Sequence, residues 1–179
     1  MTDDLLKLAV GFMLTTLCGG LLGFAFQRRH ARYQWLRTRW EKELSEAQAV
    51  FEEVSRILDR RLYRTRRLLW SLDRGQDLIE DRLSDYRAVV FEWNDNVNRI
   101  LALLAIHFSA ELRDAIDNEI GAEYVAIGRI LEQTIRGTSE ANAEELEQRL
   151  DRLAGSVYDF NLHLLKEIKA RRNALKEDA

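Results

Sequence analysis

Apolar and polar positions along this chain follow two regimes. From Leu8 to Phe26 nineteen residues pass without a charge, within the stretch LLKLAVGFMLTTLCGGLLGFAF of Leu5–Phe26. As a helix rising about 1.5 Å per residue, that run is long enough to cross a hydrocarbon core of roughly 30 Å. From Gln27 onward charges are frequent, and apolar residues recur at steps of three and four. That spacing is the mark of helices with one buried face.

Four stripes follow. Leu44, Ala47, Phe51, Val54 and Leu58 form a seam that slips near Leu62 and resumes at Leu69 and Leu72. The sequence predicts that this first helix is continuous with the apolar run, or bent near residues 27–30, and ends at Gly75 after Arg74. Ile79, Leu83, Tyr86, Val90, Trp93, Val97, Ile100 and Leu104 place a second helix over about 77–107. Ser109 is the expected N-cap of a third, with Glu111 in its first turn. That helix carries Leu112, Ile116, Ile120, Tyr124, Ile127, Leu131 and Ile135 and stops at Gly137. Thr138 or Ser139 is expected to cap a fourth, whose stripe is Leu146, Leu150, Leu153, Val157, Phe160, Leu164 and Ile168. Short connections make successive helices antiparallel neighbours.

The expected fold is therefore all-α: a single N-terminal transmembrane helix followed by a long-helix antiparallel bundle of about four helices. Its expected parts are a span at 5–26, a basic juxtamembrane helical stalk at 27–45, a cytoplasmic bundle at 46–175 and a tail at 176–179. Composition agrees. The 179 residues contain no proline and are 32% charged, which favours uninterrupted helices over a turn-rich β domain. The one cysteine, Cys18, falls in the apolar run, which excludes an intramolecular disulfide and any cysteine-based zinc site in the remainder.

Charge then orients the chain. Asp3 and Asp4 precede the span, whereas Arg28, Arg29, Arg32, Arg37 and Arg39 follow it. Loops rich in Lys and Arg stay in the cytoplasm, so the N-terminus is expected outside an inner or plasma membrane and residues 27–179 inside the cell. A cleaved signal peptide wants a basic start and a shorter core, and Gly23-Phe24-Ala25 is the nearest thing to its cleavage site; a retained anchor is the expectation. Tyr33 and Trp35 fall at headgroup level, beside those arginines. Residues 27–74 carry 13 Lys/Arg against 7 Asp/Glu, while residues 75–179 carry 13 against 21. The basic part suits anionic lipid, and the acidic part argues against a DNA partner.

Within the span, Gly11, Thr15, Gly19 and Gly23 recur every fourth residue, a ridge on which a second helix approaches to backbone distance. Self-association into a homo-oligomer follows as an expectation. A single span encloses no conduit; in an oligomer Thr15, Thr16 and Cys18 are the least apolar candidates to line one.

Candidate chemistry is sparse. Arg60, Arg61, Arg64 and Arg67 lie in an arginine-rich run over 56–74 and offer a face for phosphate, or for acidic helices of the same bundle or of a neighbour. Asn94, Asn98 and Asn161 flank apolar stripes, where asparagine disfavours helix unless its amide finds a partner, so register-setting hydrogen bonds between helices are expected. A surface facing a partner or ligand is the other reading of the Trp93–Asn98 cluster. Asp159, His163 and Glu167 share a helix face, but no Glu-x-x-His pair accompanies them, and no metal or cofactor is expected. No phosphate loop or histidine–nucleophile pair marks an enzyme.

The apolar run and the four stripes together resemble the small membrane-anchored, HEPN-like accessory proteins of type VI-B CRISPR systems. The resemblance covers the layout of the whole chain and no specific motif. It implies an oligomeric membrane pore that strengthens RNA-guided antiviral defence. HEPN ribonucleases carry Arg-x(4–6)-His; here Arg99 and His107 have seven residues between them and Arg152 and His163 have ten, so no catalytic residue transfers. The leading expectation is a non-enzymatic, self-associating, single-pass protein acting as a pore-type effector in the lipid bilayer. The alternatives are a tether recruiting a cytoplasmic protein or RNA through the basic face, and a degenerate HEPN-like nuclease.

Overall fold

Helix-forming residues without a single proline give an all-helical chain in the computed structural model. The structure describes residues 2–72, 76–138, 140 and 142–177; for 2–10, 17, 18, 21, 25, 76, 77, 176 and 177 it describes the backbone alone. The elements are α1 (Thr2–Leu69), α2 (Gln76–His107), α3 (Ala110–Asp114), a π-helical turn (Ala115–Ile120), α4 (Gly121–Ile135) and α5 (Ala143–Glu177). The chain divides into two units, Met1–Lys42 and Glu43–Ala179. The first is the N-terminal part of helix α1; the second, a helical bundle, includes the remainder of α1.

Among the described residues no helix is long and apolar enough to cross a membrane. The expected span at 5–26 includes residues 5–10, 17, 18, 21 and 25, whose side chains lie outside the described residues. Gly75, Arg74 and Ser139, expected at helix ends, also lie outside them. Helix α1 gives way at Leu69 to a turn closed by hydrogen bonds from the Ser71 and Leu72 amides to the Leu68 and Leu69 carbonyls.

In the bundle, polar contacts step down α2 as they step up α1: Glu53 pairs with Arg99, Arg60 with Glu92 and Arg64 with Asp85. The two helices are therefore antiparallel. Helix α5 runs antiparallel to α1 by the same test, through Ser55 with Asn161 and Arg66 with Asp151. The core is one cluster drawn from every helix, including Val54 and Leu58 of α1, Ile100 and Leu104 of α2, Ile127 and Leu131 of α4, and Leu150 and Leu164 of α5. All seven expected stripe positions of α5 are buried.

Two departures from the sequence pattern have physical causes. The α1 seam does not slip after Leu58. It continues through Arg61, Thr65 and Leu68, all buried, so two of its core positions are polar. The Thr65 hydroxyl donates to the Arg61 carbonyl at 2.7 Å, which removes the cost of burying it. The third helix is interrupted by the π-turn. Its stripe steps by four three times running, from Leu112 to Tyr124, and in an α-helix each such step drifts by about 40°. One wider π-turn restores the face.

The caps are specific. Ser109 accepts from the Leu112 amide at 3.2 Å, as its position in the sequence implies. Gly137, at φ 70, ends α4, with the Thr138 amide reaching back to the Gln133 carbonyl and the Gly137 amide to that of Thr134. Thr138 thus closes α4. The N-cap of α5 is Asn142, whose Oδ1 accepts from the Glu144 and Glu145 amides, because only a residue one position before the helix can reach both.

Gly128 of α4 lies against Tyr86 of α2: a Cβ there would stand 2.1 Å from the Tyr86 hydroxyl. Glycine to alanine inside a helix normally adds about 1 kcal/mol of stability. Here overpacking of about 1–3 kcal/mol opposes it. Gly128→Ala is expected to lower the unfolding midpoint in urea, and adding Tyr86→Phe to recover most of the loss.

Glu123 of α4 accepts two hydrogen bonds from Arg149 of α5, at 2.8 and 2.9 Å. These bonds, first among the causes, hold its carboxyl below the ordinary 4.5. Stability from this pair is complete above that value and is lost as pH falls through the lower folded one. Glu123→Gln is expected to show a shallower acid loss than the parent when unfolding is followed from pH 6 downward.

Candidate functional site

Two places depart from what an ordinary helical bundle needs: the apolar part of α1, and the middle of the bundle. In the first, Phe12, Met13, Leu14, Leu22, Phe24 and Phe26 are between 57% and 74% exposed. At about 100° per residue these six positions point to every side of the helix, so no single partner seam covers them. The Thr16 hydroxyl donates to the Phe12 carbonyl at 2.8 Å, and Thr15 donates likewise to Gly11. Both hydroxyls named as pore-lining candidates are thus satisfied by their own helix; the side chain of Cys18 lies outside the described residues. At Gly11, Gly19 and Gly23 an added Cβ would meet nothing within 4 Å, so no contact among the described residues requires glycine there.

Further along α1, Arg28, Arg29, Arg32, Arg37 and Arg39 are exposed, as are Tyr33, Trp35 and Trp40. Arg39 lies 5.7 Å from the centre of the Trp35 ring, and Arg37 pairs with Glu41 at 3.0 Å. The segment offers cations and aromatic rings together over its whole circumference.

In the bundle the arginine run does not form one free face. Arg60 pairs with Glu92 at 2.5 Å, Arg64 with Asp85 at 2.5 Å and Arg67 with Asp85 at 3.6 Å, all carboxylates of α2. Arg66 reaches Glu147 and Asp151 of α5. Arg61 turns inward. It is 3% exposed, its guanidinium lies 4.5 Å from the Tyr124 ring centre and 5.5 Å from that of Trp93, and its Nε and Nη1 have no hydrogen-bond partner among the described residues. Burial pushes the Arg61 pKa down. Tyr124 fixes the other side of this cage by donating to the Leu58 carbonyl at 2.8 Å. Arg61, expected on a face for phosphate or acidic helices, is corrected accordingly: it is buried and the α1 seam passes through it.

The asparagines divide. Asn161 accepts from Ser55 across α5 and α1 at 2.9 Å, an interhelical bond of the expected kind. Asn94 and Asn98 are exposed and make no such bond, because they fall just outside the Trp93–Val97 edge of their stripe. Neighbouring Asn96 returns its amide to the Glu92 carbonyl. Glu167, on the face of His163, accepts from Arg171, and no group of three metal-ligating side chains gathers among the described residues. Arg99 is paired with Glu53 rather than with a histidine.

Beside the cage, Trp93 and Val97 of α2 face Ile116, Asp117, Gly121, Ala122, Val125, Ala126 and Arg129 across a groove of about 350 Å³. The π-turn makes it. The Gly121 amide donates to the Ile116 carbonyl five residues back, and a Cβ on Gly121 would sit 2.8 Å from that oxygen. Neither the cage nor the groove was named from the sequence; the run of steps of four in the third stripe was the legible signal for the groove.

No protein-family model, curated protein or solved structure matches the chain.

An unpaired buried cation is costly, and an apolar side chain of similar reach is often the more stable occupant. Methionine would lie along Trp93 and Tyr124 through favourable sulfur–aromatic contacts. Arg61→Met is expected to raise stability by about 1–3 kcal/mol in denaturant unfolding. Arg61→Ala, which leaves a cavity, is expected to lower it by about 2–4 kcal/mol.

Proposed function

We infer that this protein is a non-enzymatic, single-pass membrane protein that self-associates and acts as a pore-type or membrane-perturbing effector. One observation carries the reading: the described side chains of the apolar part of α1 include large exposed ones on every side of the helix. A helix that is apolar all round needs an apolar surrounding, and the nineteen uncharged residues of Leu8–Phe26 have the length of a hydrocarbon core. The back-bonded hydroxyls of Thr15 and Thr16 fit that setting, where every polar group must be satisfied internally. The arginines and aromatic rings that follow fit the headgroup level on the cytoplasmic side.

Assembly through the anchor is supported by the ridge of Gly11, Thr15, Gly19 and Gly23, whose glycines have no described atom within 4 Å of an added Cβ. A conduit would form only between copies. The antiviral setting implied by the resemblance to CRISPR accessory proteins belongs to the same proposal and rests on layout alone. Recruitment of RNA or a protein through the basic face is disfavoured because Arg60, Arg64, Arg66 and Arg67 are paired with carboxylates of the same bundle.

Expressed in full, the protein is expected in the membrane fraction after carbonate washing, as a detergent-soluble oligomer, and to release dye from anionic liposomes. Gly19→Leu is expected to shrink the oligomer and reduce release several-fold while leaving the chain in the membrane. A chain that stays in solution once lipid and detergent are removed would overturn the anchor.

A further inference from the structure

The groove beside the π-turn has a symmetry of its own. Along one ridge of the third helix lie Asp117, Gly121, Val125 and Arg129, each four residues from the next. Asp117 and Arg129 carry opposite charge and have no ion-pair partner among the described residues, although most arginines of the bundle are paired. Val125 is 52% exposed, an apolar side chain at the groove's edge, whereas Gly121 adds no side chain to its lining. Asp117 and Arg129 lie six residues to either side of Glu123, and Gly121 and Val125 two to either side.

That arrangement is its own complement. When two copies of a helix meet antiparallel about a two-fold axis, positions equally spaced from the axis face each other. With the axis at the level of Glu123, Asp117 of each copy meets Arg129 of the other, and Val125 of each drops over Gly121 of the other. Gly121, Ala122 and Ala126 allow the two helices to approach closely, and ridges at spacing four are those that interlock in the commonest helix packing. Trp93 and Val97 then wall the inserted valine from water.

We propose that this face is an isologous interface between two copies of the chain, made by the antiparallel pairing of residues 117–129. It rests on the self-association reading but uses the bundle rather than the anchor. The bundle interface therefore joins copies in pairs.

The test exploits the reciprocity. Chains with Asp117→Arg carry two cations on the ridge, and chains with Arg129→Asp carry two anions. Each variant alone is expected to self-associate at least about ten-fold more weakly through the bundle, since like charges then oppose at both ends. Mixed together, the two are expected to pair with each other at the parental strength, which no folding defect reproduces. The double reversal in one chain is expected to restore homotypic pairing. The measurement uses full-length chains with distinct tags in detergent, in the Gly19→Leu background, followed by pull-down and sedimentation. Variants that self-associate like the parent, or that fail to recover on mixing, overturn the proposal. Carbonate extraction reports the anchor separately, and reversal of Asp117 or Arg129 does not affect it.

Discussion

Helices α2, α4 and α5 each bond to the C-terminal half of α1, and the middle of that half presents a cation to the core. Arg61 is flanked by Trp93 of α2 and Tyr124 of α4, while Tyr124 is tied to the Leu58 carbonyl one turn earlier. Three helices therefore meet at one planar group. A guanidinium tolerates this better than an ammonium would, because its flat, weakly hydrated face stacks on aromatic rings. What it cannot do there is satisfy Nε and Nη1, which have no hydrogen-bond partner among the described residues.

Around that centre the ion pairs fall at the edges, between arginines of α1 and carboxylates of α2 and α5. Partly exposed pairs of this kind contribute little stability each, usually under about 1 kcal/mol. Their consequence is register. The opposite charges of α1 against α2 and α5 oppose a shift of either helix by one turn, since each shift would bring unlike partners out of reach. Asp85 and Glu92 of α2 and Glu147 and Asp151 of α5 thereby answer the arginine run of α1 within the fold.

The π-turn connects packing to surface. It exists because the third stripe advances by fours and would otherwise rotate its apolar face away from the core. Correcting that drift brings the Ile116 carbonyl close to position 121, where only glycine fits without displacement, and opens the groove against α2. A constraint of the interior thus shapes the exterior, and the groove carries Asp117 and Arg129, which have no ion-pair partner among the described residues. The apolar part of α1 poses the converse case: its large side chains among the described residues stand exposed.

The sequence by itself determined the helical class, the number of long helical segments, the stripes of α2 and α5, the Ser109 cap and the glycine stop at Gly137. These follow from periodicity and from single-residue backbone chemistry, both local properties. It also marked the uncharged run of Leu8–Phe26, because hydrophobicity over nineteen residues needs no fold to be read. Only the tertiary structure decided that the α1 seam runs on through Arg61 and Thr65, that Asn161 bridges helices while Asn94 and Asn98 face outward, and that the third helix carries a π-turn with a groove beside it. The physical reason is common to the first two, whereas the π-turn had its signal in the steps of four along the third stripe. A polar residue's place depends on which rings, carbonyls and carboxylates other helices bring to it, and those neighbours lie far away in the chain.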